Sequence, residues 1–248
     1  MKKFIYKHKK EIILSVDQWE ANFPPKNKDH WVEGRSAYET AKLWINKVPD
    51  SFEKLLGKDL ISIDVYPEHK TELDDFRGNQ RNHDLYIKAI NSNEEEICIC
   101  IESKVDEPFG PTIKSKLKNA KPTSHIKDRI NQLLQKCFGT EISDDYNHLQ
   151  YQLLTALGGT IIECKSNNVK KGYFIVQTII TPEINQNKKE NNNRKFEEFI
   201  RKLLKDNNNP ALLTDDQHLV SNQIIGPIKL IESDIELYIG YTEENSVN

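Results

Sequence analysis

Asp84-Leu85-Tyr86-Ile87-Lys88-Ala89-Ile90, then Asn91-Ser92-Asn93-Glu94-Glu95-Glu96, then Ile97-Cys98-Ile99-Cys100-Ile101-Glu102-Ser103-Lys104-Val105 is the stretch that decides the fold. Two runs rich in β-branched and aromatic residues flank a segment with turn chemistry, which predicts a β-hairpin. If its loop centres on Asn93, Asp84 comes opposite Glu102; a slip of one residue would move that pairing. Side chains alternate along a strand, so Glu102 and Lys104 share one face while Ile99 and Ile101 point to the other.

Working outward, residues 36–46 predict a helix. Ala37, Ala41, Trp44 and Ile45 recur at helical spacing, and Ser36 followed by Glu39 reads as a capping box. Residues 51–56 predict a short helix, and residues 60–66 alternate through Ile61, Ile63 and Val65 as a strand. After the hairpin come helices over 123–137 and 144–157, a buried strand over 172–180, and an amphipathic helix over 193–206 with Phe196, Phe199, Ile200, Leu203 and Leu204 on one face. Asn-rich residues 185–193 and 207–209 read as loops around that helix. Residues 228–231 and 235–239 flank Ser233-Asp234 as a second hairpin. Helices interleaved with hairpins predict an α/β fold in which helices flank a central mixed sheet. The expected organisation is one domain over 1–248, with a core at 31–181 and a helix-and-hairpin extension at 185–248.

The 248 residues suffice for a sizeable core. With 37% hydrophobic and 29% charged residues, the composition is polar but foldable. No apolar run reaches the ~20 residues of a membrane span. Residues 1–14 lack the apolar core of a signal peptide, so a cytoplasmic location is expected. Net charge is −3, so nucleic-acid binding would need a local basic patch. Cys98, Cys100, Cys137 and Cys164 read as buried free thiols rather than a zinc site.

Asp84, Glu102 and Lys104 thus place two carboxylates and an amine together at the end of a hairpin. The grouping suits metal-assisted phosphodiester hydrolysis. Two carboxylates can hold Mg²⁺ or Mn²⁺, with the Ser103 carbonyl as a further oxygen. Lys104 would orient or deprotonate a water, or neutralise developing charge. The alternative is a solvated strand end whose charges form ordinary salt bridges.

Asp84, 17 residues, then Glu102-Ser103-Lys104 resembles the PD-(D/E)xK nuclease superfamily. More narrowly, Trp31, Gly34-Arg35-Ser36-Ala37-Tyr38-Glu39, Ala41, Asp84-Leu85, Glu102-Ser103-Lys104-Val105-Asp106-Glu107-Pro108-Phe109-Gly110 and Tyr151-Gln152-Leu153-Leu154 are similar to an uncharacterised bacterial family assigned to that group. The resemblance covers roughly residues 31–181. It implies a restriction-endonuclease-like core and Mg²⁺-dependent cleavage of DNA or sometimes RNA. It also implies a context in restriction or antiphage defence, and in many such enzymes a homodimer. Glu39 matches a helix glutamate of the superfamily's metal site, or else it is only the partner of Ser36. Asp84 follows His83 where the signature has Pro.

Around this set, Lys114, Lys116, Lys118, Lys121 and Lys127 form a basic cluster suited to gripping a phosphate backbone. Gln152 is a candidate to bond a carboxylate or phosphate, and Asp106 or Glu107 to approach the metal or hold Lys104. Arg129 is expected to pair with Asp128 or reach phosphate, and residues 72–75 to form an exposed acidic loop. The competing functional class is a nuclease-like module that binds nucleic acid or protein without cleaving.

Overall fold

Strands β3 (Arg81–Asn91) and β4 (Glu96–Lys104) form the expected hairpin in a computed structural model, which describes residues 1–6, 11–25, 31–214 and 217–247. Leu85 faces Ile101, Ile87 faces Ile99 and Ala89 faces Ile97, the register of a loop centred on Asn93. The turn holds because the Asn91 side-chain oxygen accepts the N–H groups of Asn93 (3.0 Å) and Glu95 (2.8 Å), while Glu94 takes a left-handed φ of 62°.

The hairpin lies inside a seven-stranded mixed sheet of order β1-β2-β3-β4-β5-β7-β6. Here β1 is Lys2–Ile5, β2 Leu60–Thr71, β5 Lys171–Ile180, β6 Gln223–Lys229 and β7 Glu236–Asn245. β1 runs parallel to β2, and β4, β5 and β7 are parallel to one another; the remaining pairs are antiparallel. A register shift between Leu60 and Ser62 interrupts the alternation of β2, so Ile61 is exposed while Ile63 and Val65 are buried.

Both faces of the sheet are covered, which is why β4 is buried along nearly its whole length. On one face, Ile63, Leu85, Ile87, Ile99, Ile101 and Ile175 pack with residues of α1 (Val16–Asn22), α2 (Ser36–Asn46) and α3 (Asp50–Leu56). Trp44 of α2 anchors this layer, buried against Phe52 and donating its indole N–H to Gln177 of β5 at 2.9 Å. On the other face, Tyr86, Cys98, Cys100, Phe174 and Ile239 pack with α5 (Ile126–Phe138), α6 (Tyr151–Ser166) and α7 (Gln186–Asp206). All four cysteines are buried and free. Helix α4 (Ile113–Lys118) follows the β4 end. Among the described residues no helix is long and apolar enough to cross a membrane.

Several local expectations are corrected. Residues 144–146 are a separate 3₁₀ turn, and α6 begins only at Tyr151 and runs on through Gly158 and Gly159 to Ser166. Those glycines belong to the helix interior because it approaches its neighbours closely: a Cβ at Gly158 would lie 2.4 Å from Leu133. Residues 186–193 are the first turns of α7 rather than a loop; Asn185 caps them by accepting the Lys188 N–H at 3.1 Å. The residues after 185 are an integral part of the sheet, since β7 lies between β5 and β6.

The capping box is also absent. Arg35 is the N-cap of α2 and makes no side-chain cap. Glu39 instead accepts the Gly34 N–H at 2.9 Å, and Ser36 donates its N–H to Glu107, 71 residues away, at 2.9 Å.

Candidate active site

The ladder between β3 and β4 stops at the Leu85–Ile101 pair. One step further, the Ser103 N–H is taken by the side chain of Asp84 at 2.7 Å. Asp84 therefore sits against the Glu102–Ser103 peptide, and Glu102 and Lys104 project on the α6 side of β4. Glu102 is wholly buried, and three donors converge on it. Lys104 Nζ reaches Oε1 at 2.5 Å, Gln152 Nε2 reaches the same oxygen at 2.6 Å, and the Arg81 guanidinium bonds Oε2. Gln152 lies in the first turn of α6, where the helix dipole also favours a carboxylate.

These contacts set the charge states. Burial alone would push Glu102 up, but Lys104 and Arg81 outweigh it and hold the carboxyl below its usual value. Burial likewise disfavours a charged Lys104, yet Glu102 and Asp84 raise its pKa, so the amine stays an ammonium. At Asp84 the balance runs the other way, because Lys104 and Arg81 lower its pKa but do not outweigh the opposing effects. Burial, followed by the Glu102 carboxylate, pushes it up to about 8.

The site opens into a cleft of about 740 Å³, lined among others by Arg35, Ser36, Glu68, Arg77, Arg81, Asp84, Glu107, Lys116, Tyr151 and Gln152. Arg35, Arg77 and Lys116 form no ion pair with any described residue; Lys116 rests over the Tyr151 ring at 5.1 Å. One wall is the loop of residues 72–80. Arg129 holds it by bonding both oxygens of Asp74 (2.5 and 2.8 Å) and the Asn79 carbonyl (2.7 Å). Asp74 is therefore buried, not part of an exposed acidic loop, and Arg129 is a structural clamp rather than the partner of Asp128.

Asp84, Glu102, Lys104, Ser103 and Gln152 are thus brought together. Glu39 is buried nearby in sequence to Ser36 but does not line the cleft, and its Oε2 has no hydrogen-bond partner among the described residues. Glu107 accepts the N–H groups of Ser36 and Val105 (3.0 Å), tying the start of α2 to the end of β4. Asp106 instead accepts the Asn185 N–H at 3.2 Å. Of the lysine cluster only Lys116 lines the cleft; Lys114, Lys118, Lys121 and Lys127 are exposed outside it. His83 is fully buried and His148 is exposed.

Arg81, Arg35 and Arg77 were not signalled by the sequence pattern. Strict alternation from Asp84 would send Arg81 to the opposite face. The strand departs from alternation where it leaves β4, opposite the β2 segment in which Glu68 takes a φ of 49°.

Residues 13–246 match a family described as a domain of unknown function (DUF6946). The chain belongs to this family. No curated protein and no solved structure matches the DUF6946 chain. Among its described residues, no group of three His, Cys, Asp or Glu side chains is arranged to hold a metal. The chemistry of Asp84 and Glu102 nonetheless suits a hard divalent cation. What stands against it is that both oxygens of Glu102 are already engaged, so the donor set fits a cation once Arg81 moves away from Oε2.

Proposed function

We propose that this protein is a Mg²⁺- or Mn²⁺-dependent nuclease that hydrolyses phosphodiester bonds, in DNA. The observation that carries this reading is the convergence of Asp84, Glu102, Lys104 and Gln152 on the floor of a cleft whose rim presents three cations without ionic partners among the described residues. Acidic groups beneath and free cations around suit a phosphate backbone held over a metal-assisted centre. A restriction-endonuclease-like core is part of the same proposal.

In this reading Asp84, Glu102 and the Ser103 carbonyl would hold the cation, which supplies polarisation of the phosphoryl group and a more acidic bound water. The ammonium of Lys104 offers N–H donors and positive charge for the phosphorane-like transition state. Gln152 fixes the rotamer of Glu102. Arg35, Arg77 and Lys116 would neutralise flanking phosphates without reading sequence.

The test is a titration of Mg²⁺ and Mn²⁺ into wild type and Glu102→Gln, with plasmid, linear and single-stranded DNA and RNA as substrates. Metal-dependent cleavage confined to wild type is expected, and its absence from every polymer refutes nuclease activity. The full engagement of Glu102 by Arg81, Lys104 and Gln152 favours a second reading, a binding module that does not cleave. That module would bind nucleic acid equally with and without Mg²⁺.

A further inference from the structure

Arg81 has two features that the nuclease reading does not use. Its side chain is 6% exposed and pairs with a wholly buried Glu102, so it already supplies the positive charge that a cation at Glu102 would supply. Yet the pairing is incomplete: Arg81 Nε is buried without any hydrogen-bond acceptor among the described residues. Native structures seldom leave such a donor unpaired, and each exception calls for an explanation. Arg81 also lines the cleft beside Asp84 and Gln152, so its guanidinium has an open route away from Glu102.

We propose that Arg81 is a resident counter-cation of Glu102 that leaves its oxygen when a divalent cation enters, and then grips a substrate phosphate in the cleft. This rests on the nuclease reading above. Two cations cannot share Glu102 Oε2 at contact distance, so cation binding without substrate must displace Arg81 into a place with no acceptor. A phosphodiester gives it one. The planar fork of a guanidinium matches two phosphate oxygens, and Nε is part of that fork. Binding of cation and of phosphodiester are therefore linked, and by reciprocity each tightens the other. The chain binds divalent cations weakly when the cleft is empty and strongly when a phosphate backbone lies in it. Lys104 does not take this role, because it shares Oε1 with Gln152 and remains bonded to it when Oε2 is freed.

The test measures Mn²⁺ binding by the electron spin resonance of the free ion, with and without a cleavage-resistant phosphorothioate oligodeoxynucleotide. Asp84→Asn serves as the blank for Mn²⁺ held by the oligonucleotide itself. In wild type the oligonucleotide is expected to raise Mn²⁺ affinity about tenfold, a typical coupling between sites. Arg81→Gln is expected to bind Mn²⁺ about tenfold more tightly than wild type without the oligonucleotide and to gain little from it. Arg81→Lys, which keeps the charge, should resemble wild type in the empty cleft. The wild-type comparison needs no variant, so the test survives if Arg81→Gln fails to fold. An oligonucleotide that leaves wild-type Mn²⁺ affinity unchanged overturns the proposal. So does equal affinity of wild type and a folded Arg81→Gln, lost in Asp84→Asn; that result would leave the metal site standing. Absence of Mn²⁺ binding from all variants overturns both this proposal and the reading beneath it.

Discussion

Replacing Asp84 by Asn should make the protein more stable, and increasingly so as pH rises. The fold raises the Asp84 pKa from 3.8 to about 8, so it favours the protonated acid. Below pH 3.8 the folded and unfolded chains both carry the proton and nothing is lost. Between 3.8 and 8 the unfolded chain gains by ionising while the folded chain does not. Stability then falls by about 1.4 kcal/mol per pH unit, reaching about 4 kcal/mol by pH 7 and levelling off above pH 8. Asn removes this penalty while its carbonyl still accepts the Ser103 N–H. Urea denaturation of both proteins in EDTA should therefore show a gap of about 1 kcal/mol at pH 4.5 that widens to about 5 kcal/mol near pH 8. A gap that does not grow with pH, or an Asn variant less stable than wild type at pH 8, would refute the account of strain at this carboxyl.

Two further substitutions test how the site is supported. In Gly159→Ala the new Cβ would lie 2.6 Å from His83 Nε2 and 3.3 Å from Arg81 Cγ. His83 is fully buried and cannot yield cheaply, so a loss of about 1–3 kcal/mol is expected in thermal or urea melts; unchanged stability would mean that α6 sits less tightly on β3. Arg129→Ala leaves Asp74 buried without its partner, which should cost about 3–5 kcal/mol. It should also speed amide hydrogen exchange across residues 72–80, and a loop that stays protected would show that Arg129 is not what holds the cleft wall.

What could be read in advance followed the range of the interactions involved. The hairpin register was legible because alternation and the Asn91 turn are local, and from it the approach of Asp84 to Glu102 followed. The capping box failed because Glu107, distant in sequence, accepts the Ser36 N–H, while Glu39 accepts the Gly34 N–H. Helix α7 began earlier than its apolar face suggested because its opening turns are polar and are started by the Asn185 cap. Arg81 was hidden for a different reason. Its position depends on where β3 parts from β4, and a two-residue period carries no information about that break.

The placement of β7 bears on how the chain folds. β7 is the last of the seven strands in sequence, yet it lies between β5 and β6. Ile180 and Asn245, paired at the end of that ladder, are separated by all of α7 and β6. Until β7 docks, β5 presents an open parallel edge directly beside the strand that carries Glu102 and Lys104. Such an edge is a template for pairing with another chain, and closing it requires contacts of long sequence separation, which form slowly. Nascent or partially refolded chains should therefore self-associate through β5, and β4 should be among the last parts of the molecule to become rigid.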